Sequence, residues 1–278
     1  MDIIFVRTRW LYDSYIDFWK LVELAGFPTC YTDEVDIERN VIYIVSPMNG
    51  EWRPVIDSQR NKTKRAELLM INLERPGGSG SLDNYITSNR ELIDNKYLDH
   101  VFVCDKRLSV NTGFPYMMIG GHEGFGSIGR ISEKVYDLIT LCCYSYPHRA
   151  WMFQTPSQLR SMLGGMTLAD NAFPGSAERD LLLRSSKAML NIHQDGLPFC
   201  EPLRFIIAAM YGIPIFTEEC DSGISTIQFA IGGFNGYSEA LRAMLKMPVY
   251  ERLCVRAFVS RESLIGEFSF RNCVMRAL

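Results

Sequence analysis

The run Ser185–Asp221, SSKAMLNIHQDGLPFCEPLRFIIAAMYGIPIFTEECD, decides how the rest of the chain is read. Ala188–His193 (AMLNIH) is an apolar run of strand length that ends on a histidine. A polar turn, Gln194-Asp195-Gly196, follows it. Glu201–Tyr211 reads as a helix with Glu201 and Arg204 in its first turn and Gly212 as its stop. Pro214–Phe216 reads as a second strand, which delivers Thr217, Glu218 and Glu219 into a loop. Strand, loop, helix and strand in that order form the repeating unit of a parallel sheet, whose ligands bind beyond the carboxyl ends of the strands. A loop feeding a helix N-terminus offers free backbone N–H groups at the positive end of the helix dipole, which suits a diphosphate. Glu201 suits hydrogen bonds from sugar or ribose hydroxyls, and Arg204 suits bidentate neutralisation of a phosphate. His193, closing the strand, is a further site candidate.

The same alternation extends outward in both directions. Asp2–Val6, Pro28–Tyr31, Asn40–Val45, Ala66–Leu73, His100–Cys104 and Tyr116–Ile119 read as strands. Asp13–Ala25, stopped by Gly26, and Ser88–Asn95 read as helices between them. Beyond the glycine-rich stretch Gly120–Gly129, Tyr136–Tyr144 and Met166–Leu168 read as strands, and Arg149–Leu163 and Ser176–Ser185 as helices. Three helices, Ser238–Met247, Val249–Val259 and Glu262–Ala277, close the chain. The expected architecture is α/β, with two Rossmann-like domains facing across a cleft: residues 1–128 and residues 129–261. There is no sequence repeat between them.

The chain has 278 residues, 47% apolar and 22% charged, with a formal net charge of −3, so it holds a real core and is not disordered. The longest apolar run, Phe205–Phe216, is too short to span a bilayer and contains Gly212 and Pro214. The start, MDIIFVRTRW, lacks the form of a signal peptide, so a cytoplasmic location with reduced cysteines is expected. The eight cysteines form no C-x-x-C pair, and the four histidines stand far apart, so no metal site is expected.

A net charge near zero argues against coating nucleic acid by bulk electrostatics. Locally the balance differs. Between Trp52 and Arg75 lie Arg53, Arg60, Lys62, Lys64, Arg65 and Arg75 against Asp57, Glu67 and Glu74. With Arg7, Arg9 and Trp10 at the end of the first strand, these residues suggest a basic, aromatic-bearing rim for nucleic-acid phosphates or an anionic glycan. The competing reading is a solvated surface. His122 and Glu123, where the first half hands over to the second, are the candidate bases for taking a proton from an acceptor hydroxyl. Gly124-Phe-Gly-Ser-Ile-Gly129 matches G-x-G-x-x-G, but no acidic residue ends the strand that follows, so a hinge is the favoured reading over a dinucleotide site.

The elements from residue 137 to residue 221 resemble the donor-binding domain of GT-B glycosyltransferases. The resemblance rests on Leu190-Asn191-Ile192-His193, on Glu201 opening a helix, on Gly212-Ile213-Pro214-Ile215 and on Thr217-Glu218-Glu219. It implies a nucleotide-sugar donor as co-substrate, with Glu201 or Glu218 on sugar or ribose hydroxyls and Arg149 and Lys187 at the pyrophosphate. It also implies that residues 262–278 form a helix returning to brace the first domain. Many retaining members carry E-x7-E, where this chain has Ala209. Such sites hold the leaving diphosphate with Arg, Lys and a helix N-terminus rather than a metal, and no D-x-D triplet occurs here.

The compact size and the basic segment resemble the phage enzymes that glucosylate hydroxymethylated pyrimidines of DNA. That implies a hexosyltransferase using UDP-glucose or a similar donor, with double-stranded DNA as partner and a base flipped out for reaction. The alternatives are a cell-surface or spore polysaccharide glycosyltransferase, a non-catalytic nucleotide or nucleic-acid binding module, and a dinucleotide-dependent oxidoreductase built on Gly124–Gly129.

Overall fold

The structure is a computed structural model and describes residues 1–8, 15–45, 52–73, 81–130, 133–141, 156–169, 177–193, 199, 201–218, 228–230 and 237–278. In the first half, strands β1 (Asp2–Arg7), β2 (Thr29–Tyr31), β3 (Val41–Val45), β4 (Glu67–Asn72) and β5 (His100–Val103) form one parallel sheet in the order β2-β1-β3-β4-β5. The helices α1 (Ile16–Leu24), α2 (Trp52–Ser58), α3 (Leu82–Asp94) and α4 (Lys106–Thr112) connect or follow the strands. Every residue of β3 is buried, because a crossover-connected parallel sheet is covered on both faces. Ile42 and Ile44 enter one core with Phe5, Leu69 and Ile71, while Val41, Tyr43 and Val45 enter another with Trp52, Ile56 and Leu68.

The second half repeats the plan. Strands β6 (Tyr136–Thr140), β7 (Leu168–Ala169), β8 (Ser186–Asn191), β9 (Ile215–Thr217) and β10 (Gln228–Ala230) form a parallel sheet in the order β10-β9-β8-β6-β7. Helices α5 (Pro156–Met162), α6 (Ala177–Arg184) and α7 (Pro202–Met210) belong to it. Counted from its own first strand, each half has the order 2-1-3-4-5, so the duplication absent from the sequence is present in the topology. The strand order reverses between β1 and β3 and between β6 and β8, where such sheets open a crevice at their carboxyl ends.

Three helices complete the chain: α8 (Tyr237–Met244), α9 (Val249–Ile265) and α10 (Phe270–Ala277). Phe5, Phe18 and Ile44 of the first half share one apolar core with Ile139, Met189 and Ile206 of the second and with Phe270 of α10. Phe270 is fully buried, and its ring lies 6.0, 5.7 and 6.1 Å from those of Phe5, Phe18 and Phe27. Its N–H donates to the Gly121 carbonyl at 2.7 Å, and the Arg271 guanidinium donates to the Ala25 carbonyl at 3.0 Å. A buried ion pair also joins the halves, with Arg179 of α6 2.6 Å from Asp17 of α1.

Several expectations change. Tyr116–Ile119 is not a strand; Tyr116 makes a single bridge to Val103. The final helices divide at residues 266–269 rather than at 260–261, because α9 continues through Arg261, whose Nε donates back to the Met210 carbonyl at 3.2 Å. Helices α2 and α4 and strand β10 are additional to the sequence reading. The link at residues 120–129 packs closely against its neighbours. A Cβ on Gly120 would stand 2.1 Å from the Phe268 carbonyl oxygen, and one on Gly129 2.3 Å from that of Arg184. These two glycines let backbone pass against backbone.

Candidate functional site

Strands β8 and β9 are neighbours, and their last residues, Asn191 and Thr217, face each other in register. Helix α7 begins close by, with Glu201 at its N-cap position and Pro202 opening the first turn. Asn191 Nδ2 donates to Thr217 Oγ1 at 2.9 Å, and Arg204 Nη1 donates to Asn191 Oδ1 at 2.7 Å and to Glu201 Oε2 at 2.9 Å. The same Glu201 oxygen lies 3.5 Å from His193 Nδ1, and the His193 backbone N–H donates to Glu218 Oε2 at 2.6 Å. Asn191, His193 and Thr217 are at most 2% exposed. Asn191 and Thr217, buried to that degree, are satisfied by each other and by Arg204, so this part of the network is preorganised. Two carboxylates and one guanidinium are thereby held beside the positive end of helix α7, at the carboxyl ends of two strands.

The structure thus brings together His193, Glu201, Arg204, Thr217 and Glu218 from the expected donor set. Arg149 and Glu219 lie outside the described residues. Asn191 belongs to the network without having been given a role in the sequence reading; its signal was a polar residue in the last turn of an apolar strand.

Lys187 does not join them. It is the second residue of β8, four residues before Asn191 and so about 13 Å away along the strand. Its Nζ donates to Asp137 Oδ1 at 2.7 Å. Burial pushes the Asp137 carboxyl up, but the Lys187 ammonium and hydrogen bonds from Thr167 outweigh it and hold it below the ordinary carboxylate range. A carboxyl depressed by folding stabilises fully above its unfolded pKa, near 4, and loses that contribution as the pH falls through its folded value. Asp137→Asn is therefore expected to cost about 1 kcal/mol at pH 7 and progressively less below about pH 4, measured by urea unfolding across that range.

His122 and Glu123 also lie elsewhere. His122 Nδ1 accepts from the Gly124 N–H at 3.1 Å, and Gly124 sits against Leu24, the last residue of α1. Helix α1 runs from the carboxyl end of β1 to the amino end of β2, so its last residue marks the amino edge of the sheet. Glu123 is exposed beside it. Crossover helices return the chain to the amino edge, and the link between the halves is there too.

The basic rim is divided in the same way. Arg7 ends β1 at the carboxyl edge, its guanidinium 5.0 Å over the Tyr31 ring and its Nη2 3.4 Å from the Tyr31 hydroxyl. Arg9 and Trp10 lie outside the described residues. Arg60, Lys62, Lys64 and Arg65 precede β4 and stand at the amino edge. Arg60 pairs with Asp57 at 2.6 Å, Lys62 lies 3.9 and 3.7 Å from Asp36 and Glu38, and Lys64 reaches both Asp99 oxygens at 2.8 and 2.7 Å. Arg65 is exposed, its backbone N–H bonded to the Ile37 carbonyl. One length of sheet therefore separates these four residues from Arg7, and most of their charge is matched locally.

Among the described residues no group of three or more His, Cys, Asp or Glu side chains could hold a metal ion, and no helix is long and apolar enough to cross a membrane. No family model matches the chain, and no curated protein matches its sequence. Among solved structures, a trehalose-6-phosphate synthase superposes with a TM-score of 0.58 at 11% identity, over 99% of this chain and 98% of that one. An α1,3-fucosyltransferase superposes with a TM-score of 0.42 at 11% identity, over 97% and 91% of the respective chains. The first likeness spans essentially both molecules, so the chain shares that α/β fold of parallel sheets and helices.

Proposed function

We propose that the chain is a glycosyltransferase of GT-B type that moves a sugar from a nucleotide-diphosphate sugar to an acceptor hydroxyl. The observation that supports this most is the network of Asn191, His193, Glu201, Arg204, Thr217 and Glu218 at the carboxyl ends of β8 and β9. It lies in a fold shared with an enzyme of that chemistry, trehalose-6-phosphate synthase. In this reading Glu201 and Glu218 accept hydrogen bonds from donor hydroxyls. Arg204 and the positive end of the α7 dipole offset the charge that gathers on the leaving diphosphate. The bond from the anomeric carbon to the diphosphate breaks with its electron pair going to the phosphate oxygen. The acceptor oxygen bonds that carbon, and its proton leaves to a base. His122 and Glu123, at the amino edge, are too remote for that role. No bound metal is invoked, since in this reading Arg204 and the helix dipole offset that charge.

On the acceptor side, Arg7 stacked on Tyr31, and Arg53, which follows β3 in the first turn of α2 with its guanidinium 5.7 Å over the Trp52 ring, are described members of the basic set at the carboxyl edge. Duplex DNA with hydroxymethylated pyrimidines needs a continuous phosphate-binding rim, which Arg60, Lys62, Lys64 and Arg65 do not extend. The reading carried forward is a smaller hydroxyl-bearing acceptor. The test is turnover of a nucleotide-sugar panel, glucose donors first, with small sugar acceptors and with hydroxymethylcytosine DNA, read by mass spectrometry. We expect transfer from at least one donor, to a small acceptor in preference to DNA. Absence of both transfer and donor hydrolysis across the panel would overturn the reading.

A further inference from the structure

A pocket of about 380 Å3 opens at the amino edge of the second sheet, under helix α9 and across the sheet from the polar network. Its walls are Ile128, Tyr250, Cys254, Val255 and Phe258. That volume is ample for a single-ring molecule, since a cavity of about 150 Å3 lined by aliphatic side chains already holds benzene. At its mouth Ile128, Val255 and Phe258 remain 46%, 63% and 48% exposed. An apolar hollow with an apolar rim left in water is what a ligand site looks like, where scattered exposed apolar residues are not. Two charged side chains line it, Lys134 and Glu251.

We propose that this pocket binds a small apolar aldehyde, which Lys134 holds as an imine. The amine is fixed in place, because Lys134 Nζ donates to the Arg184 carbonyl at 2.7 Å. Burial is the largest influence on it and lowers its pKa to about 8, so near that pH half of it is uncharged and nucleophilic. The neighbouring Cys254 thiol moves the other way. Burial raises its pKa, which keeps it protonated and a poor competitor. Glu251 disfavours a carboxylate ligand, whereas a neutral carbonyl meets no repulsion. In the step itself the amine nitrogen bonds the carbonyl carbon, the carbon–oxygen double bond gives way to a carbon–nitrogen one, and the oxygen leaves as water with two protons. Nothing is oxidised or reduced. When the imine is protonated, its one N–H can keep the bond to the Arg184 carbonyl.

The inference is independent of the proposed transferase activity. It is tested on the full chain at pH 8 with benzaldehyde as probe and cyanoborohydride to trap imines, followed by peptide mass spectrometry. Lys134 is expected to be labelled on the order of tenfold faster than the other lysines. Phe258→Ala, which removes an apolar wall at a half-exposed position, is expected to slow labelling at Lys134 about threefold or more. Neutral benzyl alcohol is expected to slow labelling at Lys134, and benzoate is not. Labelling of Lys134 no faster than of the other lysines overturns the site. Protection by benzoate equal to that by benzyl alcohol overturns the choice of a neutral carbonyl ligand.

Discussion

Phe270→Ala is expected to destabilise the chain by about 3–5 kcal/mol. The ring is fully buried, and three aromatic neighbours from β1, α1 and the turn after α1 surround it. Truncation removes its apolar contacts and leaves a ring-sized void between α10 and the first half, which close-packed neighbours cannot refill. Against a total stability of roughly 5–15 kcal/mol for an ordinary domain, that is a large fraction. The urea midpoint should fall sharply. Phe270→Leu, which keeps most of the volume, should cost about 1.5 kcal/mol or less. Because one apolar core runs through both halves, they should unfold together in the variant as in the parent. A loss below about 1 kcal/mol for the alanine variant would show that α10 does not anchor the first half.

Arg204→Ala should leave the fold largely intact and reduce sugar transfer by about a hundredfold or more, the scale seen when one preorganised charge-stabilising donor is lost. The guanidinium holds the Glu201 carboxylate and the Asn191 amide together, so its removal takes the positive charge from the helix start and releases both partners. Arg204→Lys restores a charge without the planar fork and should recover only part of the rate. Transfer by the alanine variant within threefold of the parent would place the reaction elsewhere.

The parts of this molecule legible in the sequence are those that one strand or one helix determines alone. Strand β3 was clear because a strand buried on both faces is an unbroken apolar run, here VIYIV. Helix α7 was clear because Glu201 and Gly212 mark its two ends. Five donor-side residues met because they follow two adjacent strands or open the helix between them, and loop position alone puts them at one edge.

What sequence distance hid was which edge of the sheet a residue reaches. Lys187 is only a few positions from His193, yet a rigid extended strand carries it to the far side. The charge count between residues 52 and 75 could not see Asp36, Glu38 and Asp99, which arrive at the same amino edge from other crossovers and match Lys62 and Lys64. His122 looked central because it joins the halves, but the join runs along the amino edge. Gly124, Gly126 and Gly129 match a phosphate fingerprint by spacing, while a Cβ on each would meet Leu24, the Tyr211 ring and the Arg184 carbonyl respectively.

The most direct test of the central claim is calorimetric titration of nucleoside diphosphates and nucleotide sugars into the chain and three variants. At least one donor should bind. Glu201→Gln and Arg204→Ala should weaken it by about tenfold or more, while Lys187→Ala, at the opposite edge, leaves it unchanged. Binding of no nucleotide, or weakening by Lys187→Ala as great as by Arg204→Ala, would contradict a donor site at the carboxyl ends of β8 and β9.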